Sequence, residues 1–178
     1  MRLTTDIMTE IIKFRDSIFG ASLHRFIAAH ADYDRKTQLW TVRVPMKVYK
    51  KTRDECIVEL EIPAGAQIYA RSRRDMASCS TPQHGESVRK MRCSSAKVLQ
   101  QWYHRWYREK ASTVQGQVDG EKHHWLTPTA TSRSKHNWEF IYHNGKTVVP
   151  EGNFAPACFE QCASGIHFFV NVQDAINY

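Results

Sequence analysis

No run of eighteen apolar residues occurs in this chain, so it offers no candidate for a membrane-crossing helix. The first ten residues include Asp6 and Glu10 and no long apolar stretch, and they do not read as a signal peptide. The five cysteines, Cys56, Cys79, Cys93, Cys158 and Cys162, are odd in number and lack the tight spacing of a disulfide framework. Reduced thiols are therefore expected. Internal repeats and low-complexity tracts are missing as well. What remains is ordinary for a folded domain: 42% of the 178 residues are hydrophobic and 11% aromatic, enough for one core, or for two small ones.

Charge is unevenly placed. Residues 71–110 hold ten Lys/Arg against three Asp/Glu, a net +7, while the segments before and after carry +2 and −2 and cancel. A basic excess this concentrated points to an acidic partner, or else to a solvated loop and face.

The hydrophobic pattern changes period along the chain. Ile7, Met8, Ile11, Ile12, Ile18 and Phe19 recur at helical steps before Gly20, and Leu23, Phe26 and Ile27 predict a second short helix over 22–29. Strands are expected at 39–44, 46–50, 56–62, 67–70 and 96–99, with Pro45 and Pro63 as stops. Trp102, Tyr103, Trp106 and Tyr107 stand at helical spacing and predict an aromatic helix over 100–111. His143-Asn144-Gly145 predicts a tight hairpin between 140–142 and 146–149. Polar, aperiodic stretches at 71–87 and 115–137 read as loops. The expected fold is α+β: a helical arm over 1–37, then a single domain over 38–178. That domain would have a mostly antiparallel sheet and the aromatic helix packed on it.

Three constellations could carry function. The closing run Cys162-x-x-Gly165-Ile166-His167-Phe168-Phe169, followed by Ala175 and Tyr178, puts a lone histidine in an apolar strand. His167, Cys162, Gly165, Phe169 and Tyr178 form a candidate pocket, with a half-buried structural histidine as the alternative. Trp102 and Trp106, together with Ile11, Ile12, Ile18 and Phe19, are candidate interface residues. Arg71, Arg73, Arg74, Arg89, Lys90, Arg92, Arg105 and Arg108 are candidate anion-binding residues, with nucleic acid as one partner such a set could meet. Cys158, Cys162 and His167 are spaced more widely than zinc sites use, so no metal and no cofactor is assigned.

Read in order, Tyr49-Lys50-Lys51, Ile57-Val58-x-Leu60-x-Ile62-Pro63-Ala-Gly-Ala66, Arg89-Lys90-x-Arg92-Cys93-Ser94, Phe140-Ile-Tyr142, Gly145-Lys146 and the closing motif form a pattern. The pattern, over roughly 46–178, resembles a domain of unknown function found in large DNA viruses and phages, often beside pentapeptide repeats. Such repeats are absent here, and residues 1–45 and the Trp/Tyr-rich stretch near 100–130 fall outside the likeness. The resemblance implies a virus or phage origin; the basic charge, the aromatic anchors and the extra helical arm add the expectation of a non-catalytic, minor virion or capsid-associated protein in the virion or host cytoplasm, with other virion or assembly proteins as partners. A nucleic-acid-binding accessory protein using the basic 71–110 segment is the first alternative. The tail is also similar to a motif of poly-ADP-ribose polymerases, through Gly165, Ile166, Phe168, Ala175 and Tyr178, with His167 where that class has tyrosine. This implies, as a further alternative, an ADP-ribosyl-transferase-like NAD-binding domain. Its His-Gly opening has a counterpart in His84-Gly85, but within a polar loop.

Overall fold

A computed structural model describes residues 21–70, 90–108, 122–154 and 163–178. Helix α1 (Ala21–His30) leads directly into β1 (Ala31–Asp34), which folds back on β2 (Leu39–Val42). β3 (Met46–Lys51) and β4 (Cys56–Ile62) form a hairpin. Its turn takes left-handed backbone at Asp54 (φ 60°) and Glu55 (φ 57°), and the Lys51 ammonium pairs with the Glu55 carboxylate at 2.7 Å. β5 (Gln67–Tyr69), β6 (Met91–Cys93), β7 (Ala96–Arg108) and β8 (Lys122–Thr129) follow. After them come β9 (Thr131–Arg133), β10 (Ile141–His143), β11 (Thr147–Val148), β12 (Ile166–Phe168) and the short helix α2 (Val172–Asn177).

Every strand pair is antiparallel among the described residues. One sheet has the order β1-β2-β5-β6-β12 and a second the order β11-β7-β4-β3, with β8 also paired to β7. β9 and β10 form a ribbon of their own. The two large sheets meet where Tyr49 and Phe169 exchange a pair of 2.7 Å backbone hydrogen bonds, so the β12 side of the first joins the β3 edge of the second. Between them lies the core, with Val48, Val58, Leu60, Ile62, Ile68, Val98, Ile166 and Phe168 all buried and Ile27 of α1 reaching into it. Alternation sets the inward row of each strand, since successive side chains point to opposite faces.

The fold is therefore mainly β, which corrects the α+β expectation. The aromatic segment is not a helix. Residues 100–108 belong to β7, where Cys56 to Val58 of β4 pair with Tyr103 to Gln101 on one side and β8 pairs on the other. Trp and Tyr favour a pleated, half-buried surface, and two neighbouring strands outweigh the helical spacing. Nor does the described part support a helical arm. α1 is anchored in the core by Ile27, β1 follows it without a break, and the expected first helix lies in 1–20, outside the described residues. The 115–137 stretch expected as a loop holds β8 and β9. Asn144-Gly145 does turn, with Gly145 at φ 77° and the Lys146 N–H donating to the His143 carbonyl at 3.1 Å. Yet β10 pairs with β9 and β11 with β7, so the turn passes the chain between sheets instead of closing a hairpin.

Candidate functional site

Inward positions of β3 alternate as Met46, Val48 and Lys50, all buried, which places a lysine where the pattern calls for an apolar side chain. Lys50 is 7% exposed. Its Nζ donates to the His167 carbonyl oxygen at 3.2 Å and stands 5.7 Å from the centre of the Tyr142 ring. Among the described residues no carboxylate pairs with it. An ammonium taken from water without an acid partner is costly. Burial first, and then the charge of Lys90, bring its pKa down to about 8.

Lys50 lies in the wall of a pocket at the β3 edge, lined also by Lys51, Lys90, Lys135, His136, His167, Phe169 and Tyr178. These residues come from five parts of the chain. Lys51 follows Lys50 on β3, Lys90 precedes β6, and Lys135 and His136 lie in the turn after β9. His167 is on β12 with Phe169 just beyond it, and Tyr178 ends the chain after α2. α2 is started by Asn171, whose side-chain oxygen accepts the Gln173 N–H at 2.9 Å in an N-cap. Its end brings the Tyr178 ring to 5.3 Å from that of Phe169.

Tyr178 organises the cations. Lys90 Nζ donates to its hydroxyl at 2.9 Å and stands 4.8 Å from the ring centre, while Lys135 Nζ stands 4.7 Å from it and donates to the Tyr178 main-chain oxygen at 3.3 Å. These are cation–π distances. His136 Nε2 lies 3.4 Å from the same hydroxyl. Lys51 is held by Glu55 and by the Ile176 carbonyl at 3.2 Å. No Asp or Glu lines it among the described residues, and the space it encloses, about 10 Å³, is that of roughly one water, so a group would bind at its mouth. Four lysines around a shallow opening make a seat for one compact acidic group.

His167, Phe169 and Tyr178 of the expected pocket are thus together, His167 half-buried and Phe169 fully buried. Gly165 lies against Arg92 instead, and Cys162 is outside the described residues. Of the expected anion-binding residues, Lys90 reaches the pocket. Arg92 is buried with its guanidinium 4.7 Å from the Tyr69 ring, Arg105 is exposed on β7, and Arg108 ends that strand. Arg71, Arg73, Arg74 and Arg89 are outside the described residues, as are Ile11, Ile12, Ile18 and Phe19 and the His84-Gly85 pair. Trp102 is buried rather than offered to a partner, and Trp106 lies farther along β7. Sequence reasoning missed Lys50, Lys51, Lys135 and His136. For Lys50 the signal was present, as a lysine on the inward beat of Met46-x-Val48-x-Lys50. Lys135 and His136 arrive through tertiary folding and leave no local trace.

No curated protein and no solved structure matches the chain. The model of a family of unknown function, DUF5758, matches residues 40–175 and so spans every pocket residue but Tyr178; the chain belongs to the DUF5758 family.

Proposed function

We propose that this chain is a non-catalytic interaction module that seats an acidic group of a partner protein in the lysine pocket. The observation that supports this reading is the buried Lys50, which among the described residues has no carboxylate partner and stands at the wall of a pocket with three further lysines and no Asp or Glu. A carboxylate or phosphate there would offset the cost of holding that ammonium out of water. A minor virion or capsid-associated component docking on its neighbours, the role that the basic charge and aromatic anchors suggest for a chain with the viral resemblance, is one in which such a module would serve.

The test is thermal unfolding of the purified chain with inorganic phosphate and with a short poly-glutamate peptide. A ligand bound to the folded state raises stability by about 2.7 kcal/mol at one hundred times its Kd. Both probes are expected to raise Tm, and Lys50→Met with Lys135→Gln is expected to remove the shift. No shift in the wild-type protein overturns the reading. Salt-sensitive binding of a single-stranded oligonucleotide, undiminished in the double variant, would overturn it too and move the function to the arginine-rich segment.

A further inference from the structure

Lys50 differs from the other pocket lysines in what its nitrogen can do. Lys51 is engaged by the Glu55 carboxylate, and Lys90 and Lys135 lie over the Tyr178 ring. The Lys50 amine has one hydrogen bond among the described residues, to a carbonyl oxygen, which the neutral amine can also make, though more weakly than the ammonium. Buried apolar neighbours on β3, a second cation in the same pocket and the lack of an acid partner among the described residues all disfavour its charged form. These conditions turn a lysine into a nucleophile.

We propose that Lys50 is a reactive amine that condenses with the carbonyl carbon of a small aldehyde or ketone bearing a phosphate or carboxylate, whose acid group is held by Lys90 and Lys135. This rests on the anion-pocket reading and adds a covalent step to it. The lone pair of the neutral amine forms the C–N bond while the carbonyl π pair moves to oxygen. The resulting carbinolamine then loses water, which takes the carbonyl oxygen and both amine hydrogens and leaves an imine. No oxidant or reductant is consumed. With the Lys50 pKa at about 8, roughly a fifth of the amine is neutral at pH 7.4, against about one in a thousand for an ordinary lysine.

Pyridoxal 5′-phosphate, an anionic aldehyde, is the probe, with pyridoxal as the counterpart lacking the phosphate. The full chain is incubated with each, the imine is reduced with borohydride to a stable secondary amine, and the labelled lysine is found by peptide mass mapping. The expected result is label on Lys50 at least tenfold above pyridoxal. That label is expected to be suppressed by inorganic phosphate and to rise between pH 7 and 9. Label spread evenly over the lysines, or absent from Lys50, overturns the proposal, and mapping the wild-type chain needs no variant to fold. Lys50→Arg keeps the charge, so it is expected to keep the phosphate-dependent rise in Tm while losing the label. If phosphate still raises Tm but Lys50 is unlabelled, the reactive amine fails and the anion pocket stands; if neither effect is seen, both fall.

Discussion

Gly165 has φ of 156° and sits against a buried arginine: a Cβ built there would lie 3.0 Å from Arg92 Cβ and 3.1 Å from its Cδ. The Arg92 side chain has little room to give, with its guanidinium over the Tyr69 ring and 3% of its surface exposed. Gly165→Ala combines backbone strain with overpacking, each worth on the order of 1–3 kcal/mol. Urea unfolding is expected to show a loss in that range, and a loss under about 0.5 kcal/mol would mean that Arg92 yields freely. The sequence marked Gly165 for attention through its motif, but as part of a pocket. Its lack of a side chain leaves room for the Arg92 stem against it, a packing role that spacing does not reveal because Arg92 is 73 residues away. The inward Lys50 shows the opposite case, since strand alternation alone exposes it as an anomaly.

β7 shows why one element carries a misleading period while β4 beside it does not. Cys56–Ile62 alternates without competing periodicity, and its strand bounds are those expected. In Gln100–Arg108, side chains four apart share a face in a helix and in a strand alike, so the Trp102/Trp106 pair fits both periods. Pairing decides: β7 is flanked by β4 on one side and by β11 and then β8 on the other. A register shift at Glu59/Leu60 leaves Leu99 as the extra residue opposite β4. Below it, the Gln101 side chain ties three segments. Its Nε2 donates toward the Ala130 and Tyr142 carbonyls, each at 3.1 Å, and Asn144 Oδ1 at 2.9 Å, and its Oε1 accepts the Ser132 hydroxyl at 2.5 Å. That buried network explains why Asn144-Gly145 directs the chain between sheets instead of into a hairpin. Amide exchange checks the arrangement. β4, and β7 where it faces β4, are expected to exchange slowest, and β1 at a sheet edge orders of magnitude faster. Fast exchange across residues 96–103 would contradict the central placement of β7.

At the scale of the whole molecule, the join between the sheets at Tyr49 and Phe169 is also where the pocket opens, so the titration of Lys50 reports on global stability. Its folded pKa, about 8, lies below the ordinary value of 10.5. Below pH 8 both folded and unfolded chains carry the proton, and the folded state bears the whole cost of the buried ammonium. Between about pH 8 and 10.5 the unfolded chain binds more protons than the folded one, so the Lys50 contribution makes stability rise with pH through that window. A fall of this size corresponds to roughly 3 kcal/mol at full extent. Tyr49, with its hydroxyl pushed up to about 12 by burial and by Glu59, and Cys93, pushed up to about 12 by burial, pull stability down at the alkaline end. Both are present in a Lys50→Met variant as well; Cys93 feels the Lys50 charge, but its thiol keeps its proton in either folded protein up to pH 10.5, so over that range the difference isolates the lysine. The variant is expected to gain most against wild type near pH 7 and to lose up to about 3 kcal/mol of that advantage by pH 10.5, measured by denaturant unfolding across the range. A difference that does not change with pH would mean that the amine is charged and solvated in the folded chain, which would remove the physical basis of both the anion seat and the reactive lysine.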